Sequence, residues 1–414
     1  MTGPWLVLVE SNTTGSGRAF CARARDLGLR PVLLARDPGR YPYVAEDGID
    51  AVMAGTTDPA ALLAACQALG GTVAGATSSS EYYIAAAADL AAALGRPHPD
   101  GDAIRACRDK HTQRARLRAA GVPGPAFAAA STAAGAVAAA ARIGYPVVVK
   151  PVSGSGSVGT RRCAGPGEVA AAAGYVLDTD PAELGLPPQP AVVVEEYLPG
   201  EEFSAECLGD QVIGITRKHL GPEPYFVETG HDFPALLPAA CEAAIGGAAI
   251  AALRALGLGW GGAHVEVRHT AAGPRIVEVN PRLPGGMIPR MVAEALGIDM
   301  IFHVVAEAAG RPVPPRPARA GAASIRFLVA GEAGRLTGVT GMTAASAVPG
   351  VAEVGLTVRP GQEVRIRHCF TDRLGYVIAR GGTGSAAARA AEDALQLLAA
   401  RFAPVTYAME GCQD

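Results

Sequence analysis

The stretch Ala263–Gly286, AHVEVRHTAAGPRIVEVNPRLPGG, reads as two strands joined by a turn. Ala263–His269 and Arg275–Asn280 are rich in Val and Ile, and Thr270–Pro274 carries the Gly and Pro that interrupt a strand. Strand side chains alternate. His264, Glu266 and Arg268 therefore share one face, and Val265 and Val267 take the other. On the return strand Ile276, Glu278 and Asn280 share a face. A symmetric turn sets Glu266 opposite Glu278 and His264 opposite Asn280. Two carboxylates paired in this way lie roughly 4.5–5.5 Å apart at Cβ and weaken the ladder unless something compensates them. A divalent cation would do so, because carboxylate and amide oxygens are the hard ligands that Mg²⁺ takes when it is shared with phosphates. Arg282 follows, and Leu283-Pro284-Gly285-Gly286 makes a turn with exposed N–H groups. The alternative is an amphipathic hairpin with its charged face in water.

A chain of 414 residues is too long for one compact core and implies several domains. Hydrophobic residues make up 49%, enough for burial, and the many alanines predict closely packed helices. The net charge of −3 offers no basic excess for nucleic acid. The eight cysteines show no CxxC pairing, so disulfides and a zinc site are not expected and a reducing compartment fits. No secretory signal is evident. The alanine-rich run around Phe127–Ala141 is too interrupted to span a membrane. The expectation is a cytoplasmic protein with no membrane partner.

Residues 1–105 alternate strands and helices: strands Trp5–Val9, Pro31–Ala35 and Thr72–Ala76, and helices Arg18–Leu27, Pro59–Leu69 and Glu81–Leu94. This pattern predicts a doubly wound α/β unit with a parallel sheet. Thr13–Gly17 either holds an anion at a helix start or is a tight turn. Ser78-Ser79-Ser80-Glu81 reads as a helix cap, with a substrate contact as the alternative. Cys107–Leu117 reads as one charged helix, either solvated or aiming Lys110 at a phosphate. Tyr145–Pro151 is a strand carrying Lys150. It runs into Val152–Thr160, a Gly/Ser loop whose unblocked N–H groups can fold over polyphosphate. Ala191–Glu206 is a buried strand broken at Pro199-Gly200; such a hinge exposes backbone groups to a base edge. Arg217–Pro234 is a polar and aromatic insertion before a helix over Pro238–Leu256. Helices follow at Pro289–Leu296 and Ile301–Ala309. Arg311–Arg319 is a proline-rich linker. The segment 320–414 reads as strand-rich with a final helix over Ala386–Phe402. His368 and Cys369 are expected in a strand, with no role.

The order of parts is more specific than any one part: a helix lysine, a strand lysine, a Gly/Ser lid, a Glu-rich hinge, two carboxylates and Asn-x-Arg. That order resembles the ATP-grasp carboxylate–amine ligases across roughly residues 1–315, and the final segment looks like their C-terminal domain. Phe226–His231 (FVETGH) and Asn280–Gly286 (NPRLPGG) look like the branch of L-amino-acid ligases that form dipeptides.

The resemblance implies an ATP-grasp fold of mixed α/β and α+β layers. It implies an N-terminal pre-ATP domain at 1–105, an ATP-grasp domain at 106–315 with a lid subdomain near 125–200, and a strand-rich C-terminal domain at 320–414. Lys110 and Lys150 would bind ATP phosphates under the lid Ser153–Gly159, with Ser153, Gly156 and Ser157 in contact. Glu195, Glu196, Tyr197 and Leu198 would hold adenine, and Glu202 the ribose. Glu266, Glu278 and Asn280 would hold Mg²⁺, with Mn²⁺ as the alternative ion. Arg282 and Lys218 would be catalytic, and Glu228, His231, Gly285 and Gly286 would meet an amino-acid-like substrate. The serine-rich lid departs from the family's glycine run. The implied reaction makes an amide through an acyl phosphate, releasing ADP and phosphate. A carboxylase or nucleotide-precursor ligase on the same scaffold and a non-catalytic nucleotide-binding module are the other readings, and a homodimer is left open.

Overall fold

A computed structural model describes residues 3–12, 16–180, 190–313 and 321–404. The strand β1 (Trp5–Val9) is buried at every position, as a strand covered on both faces must be. It joins β2 (Arg30–Ala35), β3 (Asp50–Met53) and β4 (Val73–Thr77) in a parallel sheet ordered β3-β2-β1-β4. Leu6, Leu8 and Leu33 pack on Phe20 and Ala24 of helix Ser16–Asp26 and on Val304, Val305 and Ala308 of helix Met300–Ala308. The opposite face packs on helices Pro59–Ala68 and Ile84–Ala93. Gly75 permits the close approach of the late helix: a Cβ there would lie 1.8 Å from Ala308 O.

Several expectations need correction. β3 has no counterpart among the expected strands, because DAVM at an exposed sheet edge carries little hydrophobic signal. The seryl run Ser78–Ser80 caps nothing; the next helix starts at Ile84 without a side-chain cap. Residues 13–15 and most of the proline-rich linker, 314–319, lie outside the described residues. The charged segment at 107–117 is two helices, Gly101–Arg108 and Lys110–Ala119. They part at Asp109, whose carboxylate accepts from Thr112 N–H at 2.6 Å. The break puts Lys110 on a helix start, facing inward.

A second sheet is antiparallel: β5 (Phe127–Ala130), β6 (Val147–Pro151), β7 (Arg161–Cys163) and β8 (Val192–Glu196), ordered β5-β8-β6-β7. Alanine-lined helices Ala133–Ile143 and Pro166–Asp178 cover it.

The largest sheet among the described residues has eight strands, ordered β13-β12-β9-β10-β11-β14-β18-β16. Its first members are β9 (Glu201–Leu208), β10 (Gln211–Leu220), β11 (Glu228–Phe233), β12 (Gly262–Thr270) and β13 (Gly273–Asn280). β14 (Ala322–Val329), β16 (Val351–Leu356) and β18 (Arg373–Gly381) extend it from the final segment. β15 (Gly334–Thr340), β17 (Glu363–Val364) and β19 (Ala399–Ala403) form a small separate sheet. Alternation decides what each face of the large sheet carries. Phe203, Ala205, Cys207, Val265 and Val267 pack on Ile245, Ala249 and Leu253 of helix Ala239–Ala255. Glu202, Ser204, Glu206, His264, Glu266 and Arg268 stand on the other side.

The hairpin keeps the expected register at its polar end: His264 faces Asn280 and Glu266 faces Glu278. Beyond that pair a bulge shifts the register, so Val267 faces Ile276. Ile276 is therefore fully buried in the apolar core and does not share the face of Glu278. Three further readings change. The 217–234 segment is not a loop throughout; it supplies the last four residues of β10 and all of β11. The last helix stops at Gln396, and β19 follows. His368 and Cys369 sit in a loop, with His368 at φ +54°. No helix among the described residues is long and apolar enough to cross a membrane.

Candidate active site

One cleft between the β5-β8-β6-β7 sheet and the polar face of the large sheet gathers the sequence-derived residues. It is lined by Lys110, Lys150, Ser153, Gly156, Ser157, Glu195, Glu196, Tyr197, Leu198, Glu202, Lys218, Glu228, Glu266, Glu278, Asn280 and Arg282. His231, Gly285 and Gly286 are not on its wall. His231 lies fully buried on β11, and neither ring nitrogen has a hydrogen-bond partner among the described residues. Gly286, at φ +59°, closes over it: a Cβ there would sit 2.8 Å from His231 Nε2.

Each cation in the cleft is held by a different element. Lys110 starts its helix, and its N–H donates to Val152 O at 2.9 Å, fixing it beside the lid root. Its Nζ donates to Gly154 O at 2.6 Å and lies 3.1 Å from Glu278 Oε1. One turn on, Gln113 bonds both backbone groups of Val279, locking this helix to β13. Lys150 Nζ is 2.8 Å from Glu195 Oε2, and Arg114 Nε is 2.8 Å from Glu195 Oε1. Burial alone would raise the Glu195 carboxyl; Arg114 and Lys150 hold it low instead. Burial depresses the Lys150 ammonium, and Glu195 only partly restores it.

Lys218 lies among three carboxylates: Glu202 at 2.7 Å, Glu228 at 2.8 Å and Glu266 at 3.3 Å. Burial works against its charge, but these neighbours raise its pKa well above the ordinary value. Glu202 is also bound by Arg268 Nε at 3.0 Å. Glu266 is approached by His264 Nε2 at 3.3 Å, while His264 Nδ1 contacts Glu206 at 2.9 Å. Burial would lower the His264 pKa; Glu206 and Glu266 bring it up to about 9. Glu266 and Glu278 thus face each other as expected, but each has a basic neighbour built into the fold. The fold itself therefore supplies part of the compensation expected from a divalent cation.

The donor set still suits a small hard cation. Glu266, Glu278 and Asn280 bring two carboxylates and an amide oxygen to one end of the hairpin, and the two carboxylates are only partly exposed, at 18% and 17%. Mg²⁺ in nucleotide sites takes few protein ligands and completes its shell with phosphate and water. No group of three or more His, Cys, Asp or Glu side chains among the described residues forms a ready metal cage.

At the hinge, Glu196 N–H donates to Ala126 O at 2.8 Å and Tyr197 N–H to Pro146 O at 3.2 Å. Those two amides are engaged within the β5-β8-β6-β7 sheet, and the Glu195 carboxylate belongs to the lysine–arginine network.

Three contributors were given no site role from the sequence, and a fourth, Glu81, was read only as part of a helix cap with a substrate contact as the alternative. Arg114 had a usable signal, since it lies one helical turn beyond Lys110. Arg268 shares a strand face with Glu266. Arg373, from β18, bonds the Glu228 carboxylate and donates to Glu228 O at 3.1 Å. Only the β11-β14-β18 pairing brings it there, over a gap of 145 residues. Glu81 lies 2.6 Å from Arg282 Nε and accepts from Ser155 Oγ at 2.6 Å.

The comparisons with known proteins agree with this fold. Residues 143–290 match the model of the ATP-grasp domain, and residues 326–403 match that of the L-amino acid ligase C-terminal domain 2. An uncharacterised protein of Sinorhizobium fredii is 39% identical over 385 residues, covering 92% of this chain and 80% of that protein. The chain belongs to the ATP-grasp ligases. Carnosine synthase 1 of Gallus gallus is 33% identical to this ATP-grasp ligase over 191 residues, which is 44% of the chain but only 20% of that much longer protein. Among solved structures, an L-amino acid ligase from Bacillus licheniformis superposes with a TM-score of 0.77 at 21% identity, covering 97% of this chain and 99% of that one. That likeness extends the shared ATP-grasp fold over nearly the whole chain.

Proposed function

We propose that this enzyme joins the carboxylate of one amino acid to the amine of a second, converting ATP to ADP and phosphate. The observation that carries the reading is the single cleft in which the facing pair Glu266 and Glu278 meets Lys110, Lys150, Lys218 and Arg282. The match to the L-amino acid ligase C-terminal model supports the substrate class. The three-part division at 1–105, 106–315 and 320–414 belongs to the same proposal.

A carboxylate is unreactive toward an amine because oxide would have to leave. Attack of the carboxylate oxygen on the γ-phosphorus of ATP forms a new P–O bond and breaks the bond to ADP. The amine then attacks the acyl carbon, and phosphate departs. The protein's work is positioning and charge compensation. Lys110, Lys150 and Lys218 would turn from their carboxylate partners toward the phosphates. Glu266, Glu278 and Asn280 would hold Mg²⁺, which neutralises phosphate charge when bound. Arg282 would face the transferred phosphoryl group and then the acyl oxyanion. Glu228, held by Lys218 and Arg373, would meet the substrate ammonium, with the buried His231 and Gly285-Gly286 shaping that end. The loop at 153–159 would keep water from the acyl phosphate, which otherwise hydrolyses. A cytoplasmic enzyme of small-peptide or natural-product synthesis is the corresponding setting.

The test is incubation with ATP, Mg²⁺ and pairs of amino acids, with ADP, phosphate and dipeptide measured together. One ADP per dipeptide is expected. Release of AMP and pyrophosphate would contradict the mechanism, and bicarbonate-dependent ADP release would point to a carboxylase.

A further inference from the structure

Glu81 belongs to none of the groups assigned above. It sits in the turn between β4 and helix Ile84–Ala93, on the N-terminal parallel sheet rather than the ATP-grasp elements. Its backbone is anchored, because the Arg108 guanidinium donates to Glu81 O and stacks 4.3 Å over the neighbouring Tyr82 ring. Its carboxylate reaches two parts of the active site at once. Oε1 accepts from Ser155 Oγ, at the middle of the lid, at 2.6 Å. Oε2 accepts from Arg282 Nε at 2.6 Å. Arg282 Nη1 donates to Leu283 O at 3.1 Å, so two contacts fix the guanidinium plane. Both charged side chains are largely buried, at 18% and 19% exposure. Burial alone would raise the Glu81 carboxyl; Arg282 and the Ser155 hydroxyl bring it down to about 2, so it stays ionised through the working pH range.

We propose that Glu81 is a positioning residue of the ligation reaction, bridging the lid hydroxyl of Ser155 to Arg282 so that the arginine is fully oriented only when the lid is shut. Each bond is charge-assisted and strong where water is scarce. An open lid takes the Ser155 hydroxyl away, water replaces it at Oε1, and the Glu81 rotamer that orients Arg282 loses one of its two supports. The arrangement has a chemical use. Arg282 would stabilise phosphoryl transfer best at the moment the cleft is closed to water, so ATP would not be spent on an acyl phosphate that hydrolyses. This inference rests on the ligase reading, but part of its test does not.

Three proteins decide it: the parent, Glu81→Gln and Ser155→Ala. Glu81→Gln keeps an acceptor for Ser155 and removes the charge that holds Arg282. Its kcat is expected to fall about tenfold or more while KM for ATP stays within about threefold. Ser155→Ala keeps the Glu81–Arg282 pair and cuts the tie to the lid. With Mg²⁺ and ADP bound, its lid amides at 153–160 are expected to exchange hydrogen at least about fivefold faster than the parent's. It should also make at most about half the amide per ADP released. Parental lid exchange and parental amide-to-ADP ratio in both variants would overturn the proposal and leave Glu81 a structural ion pair. If Glu81→Gln fails to fold, Ser155→Ala carries the test alone. If the parent makes no amide from any amino-acid pair, the ligase reading fails, while the exchange comparison still decides whether Glu81 ties down the lid.

Discussion

Lys218 answers three carboxylates and Lys110 answers Glu278, so each of these four acids already has a basic partner before any nucleotide enters. Binding is then an exchange of partners: phosphates draw the lysines, and the carboxylates left behind accept the cation. Glu278 stands at the centre of that exchange. Glu278→Gln keeps the side-chain shape but removes a charged oxygen ligand, and kcat should fall at least about a hundredfold. Far-UV circular dichroism should be unchanged; near-parental turnover would remove Glu278 from the metal set. His231 gives a pH prediction. Its burial depresses the imidazole from 6.5 to about 3, Glu228 opposing this only in part. Between those values the unfolded chain takes up a proton that the folded protein refuses, so this group lowers stability as pH falls from about 6.5 toward 3. His231→Asn should flatten the dependence of the melting temperature on pH between 6.5 and 5, where most carboxylates stay ionised. An unchanged slope would contradict the burial argument. The Glu266–Glu278 pairing could be read from the sequence because it depends on local alternation and one turn. The lysine–carboxylate contacts could not, since they join β10, β12, β13 and a helix that are distant in the chain.

The bulge in β13 does for the hairpin what neither strand does alone. It lets Glu278 and Asn280 face the cleft while Ile276, two residues earlier, enters the core. Strict alternation would have put Ile276 beside the carboxylates. The two arrangements predict different energetics. In the core, Ile276→Ala should cost about 2–5 kcal/mol in denaturant unfolding. On a solvated polar face it would cost within about 0.5 kcal/mol. A midpoint unchanged in urea would mean the register is wrong. Element boundaries were legible where turn-forming residues flank an apolar run: β1 after Pro4, helix Pro59–Ala68 after Asp58, and helix Ala239–Ala255 between Pro238 and Gly257 fall within a residue or so of the sequence reading. They were not legible where a polar cap interrupts a charged run, as at Asp109. Nor were they where an exposed edge strand carries little hydrophobic signal, as in β3.

At the scale of the molecule, the large sheet runs from the hairpin through β11 into β14, β18 and β16. The final segment is thereby joined to the active site and delivers Arg373 to Glu228. It also reaches the lid, where Phe370 N–H donates to Gly156 O at 3.2 Å, and the β10–β11 connection, where His368 stacks on Tyr225 with ring centroids 3.8 Å apart. The sequence showed the order of parts but not this closure, because strand pairing over such separations leaves no local pattern. Every role assigned to these side chains depends on the cleft being the nucleotide site. The most direct measurement is a crystal structure of the enzyme with ADP and Mg²⁺. Phosphates are predicted beneath residues 153–159, contacted by Lys110 and Lys150, with a metal ion bound by Glu266 and Glu278. Nucleotide bound elsewhere, with Lys110 still on Glu278 and Lys218 still on Glu266, would contradict that assignment.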